Sequence, residues 1–189
     1  MKSIFFYLLT ILVLASPSSV FAKGFEAPSK GKAVVYFTRV TQWGAAYSFE
    51  FFEQDQYIGM FKKKNYLRHE CEPGKQLFWA SSENKEFITA DLVEGESYIV
   101  IVDVIMGGWK PRVGLNPISV KDAEIFARAK ELIEDENPIA QTEEVLKKKN
   151  EKLSPFITEK LMMYNNIWKD EHQYKHISSN MAIPADAMK

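Results

Sequence analysis

Four consecutive residues, His69-Glu70-Cys71-Glu72, form the densest cluster of side chains that can do chemistry. Side chains alternate along a strand, so His69 and Cys71 are expected on one face. A thiol beside an imidazole suits a cysteine nucleophile, and both groups are also zinc ligands. Either role needs more: a third residue that orients the histidine, or further ligands for the metal. The sequence does not show where these groups would come from.

His172 and His176 form the second candidate. If a C-terminal helix extends through them, the i, i+4 spacing places both imidazoles on one side, with Asp170 and Glu171 nearby. That geometry can hold a divalent metal. Two histidines are too few for a tight site, and the alternative is a solvated pair at a fraying helix end. We predict no metal or cofactor, and retain the pair as a weak metal candidate.

Tryptophans next to basic residues in two loops form the third candidate. Residues 107–112 include Trp109, Lys110 and Arg112, and an earlier loop carries Trp43. A tryptophan beside basic side chains can stack on a sugar ring or pair with a carboxylate or phosphate. We predict these four residues as a ligand-binding site. The alternative is a tryptophan folded back over the core, and the sequence does not show whether the two loops share an end.

Familiar catalytic signatures are absent from the chain. It has no G-x-S-x-G, H-E-x-x-H or C-x-x-C motif and no glycine-rich phosphate loop. We therefore predict no catalytic residues. Asp103, within an apolar run, is the least expected charge, although polar neighbours near a strand end would explain it. Two lysine runs, residues 62–64 and 147–149, are interpreted as a solvated hairpin and a solvated helix face.

The composition of the chain is that of an ordinary folded protein. Its 189 residues are 46% apolar and 26% charged, with a formal net charge of -1. A disordered chain would have fewer apolar residues or a larger net charge. Near-neutrality also argues against a nucleic-acid or anionic-membrane binder with a basic surface. Cys71 is the single cysteine, so no intramolecular disulfide can form and the core alone must stabilise the fold.

The first 22 residues have the pattern of a signal peptide. Lys2 precedes an apolar run over residues 4–15, shorter than the roughly 20 residues that span a bilayer. Ser16-Pro17 then breaks the helix, and cleavage is expected after Ala22. The alternative is a retained membrane anchor. We predict an exported protein, periplasmic or else extracellular, with no membrane span after cleavage. It is not lipidated, because no cysteine lies at the cleavage site.

Glycine and aromatic residues divide the rest of the chain near residue 118. All nine glycines lie between Gly24 and Gly114, and none lies in residues 115–189. Glycine serves turns and aromatic residues favour strands, so the first part is expected to be β and the second α. We predict a β-sandwich domain over residues 23–118, a helical extension over 119–177 and a flexible C-terminus over 178–189.

Alternating apolar and polar residues between turn signals predict seven or eight strands. In residues 45–53, Ala45, Tyr47, Phe49 and Phe51 would share one face. The spacing predicts an antiparallel β-sandwich, Ig-like or prealbumin-like. The expected strands are residues 33–40, 45–53, 56–61, 66–71, 76–81, 86–92, 98–106 and, with the weakest pattern, 112–118.

Two or three α-helices are expected after the sandwich. Ser119 followed by Asp122 resembles a capping box, and the apolar stripe behind it ends at Asn137-Pro138. The polar stretch of residues 142–153 predicts a second, solvent-facing helix. Ser154-Pro155 matches an N-cap followed by proline at the first helical position, which predicts the start of a third helix.

Three segments carry a family resemblance: residues 33–36, residues 66–75 with the turn Pro73-Gly74, and residues 92–98. Through them residues 33–118 resemble the bacterial domain-of-unknown-function family numbered 2846, small exported proteins with an expected β-sandwich. The resemblance implies no catalytic residues. The family tends to have an aliphatic core residue at the position of Cys71, which implies a structural role for this cysteine.

These features predict a non-catalytic binding or interaction module of the cell envelope, whose partner is an envelope protein or glycan and not a nucleic acid. The prediction rests on the absent catalytic motifs, the sandwich architecture and the resemblance. Two alternatives belong to other classes. One is a hydrolase acting on an envelope substrate, which needs a cleft with a carboxylate of raised pKa. The other is a weak metal carrier that uses His172 and His176.

Overall fold

The computed structural model describes residues 23–108 and 111–189. The predicted signal peptide, residues 1–22, lies outside the described residues. The described residues form nine β-strands and two long α-helices. The strands are β1 Ala33–Arg39, β2 Phe49–Glu53, β3 Gln56–Phe61, β4 Asn65–Cys71, β5 Gly74–Ser81, β6 Lys85–Leu92, β7 Ser97–Ile105, β8 Arg112–Ile118 and β9 Lys175–Ile177. The helices are α1 Ala123–Asp135 and α2 Glu143–Met163, and α2 is followed by a π-helical turn, Tyr164–Trp168, and a short α-helical turn, Lys169–Glu171.

The strands form two sheets of mixed pairing. Sheet one has the order β4-β1-β7-β8, and sheet two has the order β3-β2-β5-β6-β9. Most neighbouring strands are antiparallel, but β1 runs parallel to β7 and β9 runs parallel to β6. The expectation of a purely antiparallel sandwich is therefore wrong. Both parallel pairs join strands that are distant in sequence, whereas the tight turns that the sequence shows predict only hairpin neighbours.

The main core lies between the two sheets. Val35 and Phe37 of β1 pack there with Phe51, Phe78 and Val100. β1 is buried along all seven residues and β7 along its first six. A strand buried on both faces needs cover on its outer side as well, and helix α1 supplies that cover for β1 and β7.

Helix α1 covers the outer face of sheet one. Its Leu132 and Ile133 are fully buried against Val34 and Tyr36 of β1. The sequence predicts a start at Ser119, but α1 begins at Ala123 with Asp122 as its N-cap. The two predicted residues do contact each other, since the Asp122 carboxylate accepts from the Ser119 backbone N–H at 2.9 Å.

Helix α2 covers the outer face of sheet two. The sequence predicts two helices separated at Ser154-Pro155, but the structure has one continuous helix with Pro155 inside it. Leu146 and Leu153 before the proline and Ile157 after it belong to the same apolar cluster on sheet two. Because both halves pack on one surface, tertiary packing offsets the lost backbone hydrogen bond of the proline. The same contacts show that residues 142–153 are not a wholly solvent-facing helix.

Residues 178–189 pack against the sheets, whereas the sequence predicts a flexible end. Ile183 is fully buried, and its N–H donates to the Ser97 carbonyl at 2.8 Å. Lys130 of α1 donates its ammonium to the Ala187 carbonyl at 3.0 Å. The sequence does not show this packing, because isolated apolar residues after a three-residue strand leave no periodicity to detect.

Among the helices that the structure describes, none combines the length and apolar character needed to cross a membrane.

Candidate functional site

Four connections meet at one end of the packed sheets, which we call the loop end. They are residues 40–48, 62–64, 82–84 and the described part, residues 106–108 and 111, of the connection between β7 and β8. Each of them joins two consecutive strands. Ser82 donates its hydroxyl to the Pro111 carbonyl. The side chain of Asn84 accepts from the Val113 N–H at 2.9 Å and donates to the Val113 carbonyl at 2.8 Å. The loops are therefore held against one another by hydrogen bonds as well as by the strands.

Two of these connections enclose a cavity of about 350 Å³, the loop-end cavity. Trp43, Gly44 and Tyr47 line one side, and residues 106–108 with Pro111 line the other. None of these seven residues is charged. Trp43 is 51% exposed, Tyr47 is 45% exposed and Met106 is 73% exposed. Large apolar side chains that are this exposed and this close together are typical of a binding surface.

The structure brings together the two loops whose relation the sequence left open. Trp43 lies in the wall of the loop-end cavity, and Gly107 and Gly108 lie in the opposite loop. Arg112 is exposed at the first position of β8, directly after the lining residue Pro111. Trp109 and Lys110 lie outside the described residues, so their roles stay predictions.

A buried arginine holds the Trp43 loop in place. Arg39, at the end of β1, is fully buried, and its guanidinium donates to three backbone carbonyls. The acceptors are Trp43 at 2.8 Å, Tyr47 at 3.1 Å and Lys62. The Phe49 ring lies 5.4 Å from the guanidinium carbon. One side chain thus fixes two connections of the loop end, and the sequence analysis did not single it out.

Tyr47 lies in a loop and not in the strand that the sequence predicts, because Arg39 and two turns hold the chain there. Alternation predicts a strand from Ala45, but β2 begins at Phe49. The carbonyl of Tyr47 is bound by Arg39, and the N–H groups of Ala45 and Tyr47 donate back to residues 42 and 44 in turns. Tyr47 is therefore a residue of the cavity wall and does not share the core face of the strand.

Gly44 allows the loop to approach the core closely. Its φ is +72°, in the region that favours glycine. A Cβ added there would lie 2.9 Å from Val104 Cγ1 and 3.3 Å from Arg39 Nη2. A side chain at this position would push the cavity wall away from the buried guanidinium.

No protein-family model matches the chain, and no curated protein matches it either. The resemblance to the domain-of-unknown-function family numbered 2846 stays a prediction that rests on its three sequence segments.

A second cavity, of about 380 Å³, lies beside the loop end against α2, and we call it the helix-side cavity. Residues 83–86 line one side, and Lys160, Trp168, His172 and Tyr174 line the other. The ammonium groups of Lys85 and Lys160 lie 5.7 and 5.6 Å from the centre of the Phe156 ring. Lys160 pairs with Glu159 at 2.6 Å, whereas Lys85 donates to backbone carbonyls of the adjoining turn.

Two ionisable groups of the helix-side cavity have pKa values shifted in opposite directions. Burial, together with the charge of Lys160, lowers the pKa of Lys85. Burial raises the pKa of the Glu86 carboxyl, although Lys175 opposes the change from 3.9 Å away. Shifted groups in a cleft are typical of functional sites. Sequence reasoning missed both, because the wall combines a hairpin turn with residues about 75 to 90 positions later.

Cys71 lies in the core, and His69 has a partner elsewhere. Burial, with the nearby charge of Glu53, raises the pKa of Cys71 to about 12, so its thiolate is essentially absent near neutral pH. His69 Nε2 lies 2.8 Å from Glu53 Oε2, joining β4 of sheet one to β2 of sheet two. This arrangement agrees with a structural role for Cys71 and provides no cysteine nucleophile.

The two histidines of the metal candidate do not share a helix. The helical turn ends at Glu171, and His172 adopts an extended backbone. His176 lies on β9, where its ring contacts Thr89 Oγ1 at 2.8 Å and Asp91 at 3.4 Å. The expected i, i+4 geometry is wrong because the chain leaves the helix to form β9. Within residues 23–108 and 111–189, no three His, Cys, Asp or Glu side chains come together as a metal site would require.

Proposed function

We propose that this protein is an exported, non-catalytic binding module of the bacterial cell envelope, with its ligand site at the loop-end cavity. One observation carries the proposal: two loops about 60 residues apart in sequence form a single cavity of about 350 Å³ with an uncharged lining. Small-ligand sites have volumes of roughly 300 to 1,000 Å³ and mostly apolar walls. The ligand is part of an envelope glycan or an envelope protein.

The cavity is held in shape before any ligand arrives. Arg39 fixes the Trp43 loop through backbone carbonyls, and Ser82 holds the opposite loop through Pro111. A site that is already ordered loses less conformational entropy on binding, so more of the contact energy becomes affinity. Aromatic side chains on loops above a rigid scaffold are a frequent arrangement in binding proteins.

The remaining parts of the proposal come from the sequence. The signal-peptide pattern of residues 1–22 supports export, to the periplasm or else to the exterior, without lipidation. The turn spacing supports an Ig-like or prealbumin-like relation for the two sheets. The three matching segments support membership of the domain-of-unknown-function family numbered 2846, and Trp109, Lys110 and Arg112 complete the proposed ligand-binding residues together with Trp43.

Replacing Trp43 by alanine is expected to weaken ligand binding without unfolding the protein. A tryptophan at the centre of a binding surface typically contributes about 2 kcal/mol or more, which is roughly thirtyfold in affinity. The side chain is half exposed, so its loss leaves the core intact. The measurement is the affinity of wild type and Trp43→Ala for immobilised glycan and protein fractions of the native envelope.

The chain offers a matched control for that experiment. Met106 lies in the cavity wall and Met162 lies on α2, and both are well exposed. Met106→Ala should weaken binding, whereas Met162→Ala should not. Unchanged binding by folded Trp43→Ala and Met106→Ala would show that the loop-end cavity is not the ligand site.

A specific observation favours hydrolysis as a second candidate function. Glu86 is a carboxyl of raised pKa in the wall of the helix-side cavity, which is what a general acid requires. Asp103, the charge that the sequence pointed to, instead accepts a hydrogen bond from Asn116 at 2.5 Å on the side of β7 turned away from the core between the sheets. Glu86 is therefore the better candidate for an acidic catalytic residue.

Hydrolysis predicts that Glu86→Gln reduces turnover by about a hundredfold or more, since general acid catalysis contributes roughly 10² to 10⁴ in rate. Glu151→Gln, on an exposed position of α2, is the control and should leave turnover unchanged. The measurement is release of product from a panel of chromogenic glycosides and esters and from envelope peptides. Equal turnover in the two variants would exclude Glu86 as the general acid. If wild type turned over none of these substrates, hydrolysis would be rejected and the binding function would be the one remaining candidate.

A further inference from the structure

The loop end is basic although the whole chain is not. The chain has 24 basic and 25 acidic residues, which gives a net charge of -1. In contrast, the described residues 39–49, 61–65, 104–108 and 111–112, which belong to three of the four loop-end connections and their flanking strand ends, hold five basic residues and no acidic residue. The five are Arg39, Lys62, Lys63, Lys64 and Arg112. The fourth connection, residues 82–84, holds one acidic residue, Glu83, and Lys85 follows the connection at the start of β6.

One of these charges lies directly behind the wall of the loop-end cavity. The hydrogen bonds of the Arg39 guanidinium end on carbonyls of Trp43, Tyr47 and Lys62, and the structure describes no ion pair between Arg39 and a carboxylate. Carbonyl groups orient the charge but do not cancel it. Its Nε, also buried, has no hydrogen-bond partner among the described residues. A full positive charge therefore remains in the interior.

The separation between this charge and the cavity is short. Trp43 and Tyr47 line the cavity, and their carbonyls accept hydrogen bonds from Arg39. Gly44, between them in the wall, places no side chain in front of the guanidinium. Lys62 shares the Arg39 Nη1 donor with Tyr47, so the lysine turn begins beside the same loop. In surroundings of low dielectric constant, a buried charge and a basic rim act together on whatever enters the cavity.

We infer that the loop-end cavity binds an anionic sugar, with the ring on Trp43 and Tyr47 and a carboxylate or phosphate group facing the basic loops. This inference rests on the proposed binding function and names its ligand class. The uncharged aromatic lining suits a ring, whereas the charge behind it selects an anion. A cavity of about 350 Å³ is closed on two sides by loops, which suits a compact ring better than a flat protein surface.

The test compares charged and neutral sugars of the same shape. Purified protein is titrated with galacturonate oligomers and matched galactose oligomers, with glucose 6-phosphate and glucose, and with oligoglutamate. The acidic sugars should bind at least about tenfold more tightly than the neutral ones, and their affinity should fall as salt rises. The carboxylate and phosphate pairs show which anion the cavity prefers.

Two lysine runs provide a matched pair of variants. Lys62→Gln/Lys63→Gln removes two exposed charges at the loop end, and Lys147→Gln/Lys148→Gln removes two exposed charges from α2. The first should weaken binding of acidic sugars by roughly three- to tenfold without changing neutral-sugar binding. The second, which changes the net charge equally, should leave both unchanged.

The outcomes of these experiments distinguish a failure of the anionic-sugar inference from a failure of the proposed binding site. Equal binding of charged and neutral sugars, both lost in Trp43→Ala, would overturn the anionic ligand and keep the binding site. Acidic sugars that bind Trp43→Ala as well as wild type would overturn the site itself. Tighter binding of oligoglutamate, or no binding of any sugar, would overturn the sugar assignment.

Discussion

Arg39→Met is expected to lower the free energy of unfolding by about 3 to 5 kcal/mol, because each buried carbonyl that loses its donor costs roughly 1 to 3 kcal/mol. Three backbone carbonyls, of Trp43, Tyr47 and Lys62, would lose their donor. A methionine fills similar volume but donates no hydrogen bond, so these groups must find water by opening both loops. Chemical denaturation measures the loss, and limited proteolysis should show new cleavage in residues 40–48.

Two other arginine variants make this result specific. Arg39→Lys retains the charge but replaces the planar five-donor group by a single ammonium, so an intermediate loss is expected. Arg112→Met removes an exposed arginine at the start of β8 and should leave unfolding almost unchanged. If Arg39→Met were no less stable than Arg112→Met, the guanidinium would not be holding the loop end.

The role of Arg39 shows why part of the site escaped prediction. The run of residues 33–40 correctly predicted a strand, and a basic residue inside a fully buried strand is the signal that could have singled out Arg39. Its partners, however, are backbone carbonyls in two other connections. Any residue type supplies a carbonyl, so no motif marks those positions. The average charge of the chain also concealed the basic loop end.

The positions of the strands were predictable because their periodicity is local. The pairing of the strands into sheets was not predictable. Turn signals placed eight strands close to their observed bounds, with β2 as the exception. Parallel pairing of β1 with β7 depends on contacts between segments about 60 residues apart. Both strands are buried on two faces, one against sheet two and the other against α1, which covers the outer face of sheet one.

The candidate site was partly predictable for the same reason. Trp43 and the 107–112 loop were visible as aromatic and basic residues at turns, and the structure joins the described part of that loop to Trp43 in one cavity. The helix-side cavity was not visible, because Lys85 of β6, Lys160 of α2 and Tyr174 in the connection before β9 are far apart in sequence. Spatial convergence of distant residues has no signature in one sequence.

The second large effect is expected from Trp79→Ala, which should lower the free energy of unfolding by about 3 to 5 kcal/mol, as is usual for a buried tryptophan. Trp79 lies between Phe52 and Phe87 on neighbouring strands, with ring centres 3.8 and 5.4 Å away. Its indole N–H also donates to the Gln54 carbonyl at 2.9 Å. Phe87 in turn stacks on Tyr164 at 4.6 Å, so the row of rings connects sheet two to the end of α2.

Because the row of rings holds α2 on sheet two, Trp79→Ala should lower the local stability of α2 more than that of the other sheet. Hydrogen exchange of α2 amides should accelerate more than exchange in β1 and β7, which lie in the other sheet. Trp43→Ala is the matched control, since it removes the same side chain from a half-exposed position and should cost little stability. Equal destabilisation by the two substitutions, or unchanged exchange in α2, would mean that the aromatic row does not secure the helix.

Loosening α2 should also open the helix-side cavity, because Lys160 and Trp168 reach that wall only while the helix stays docked.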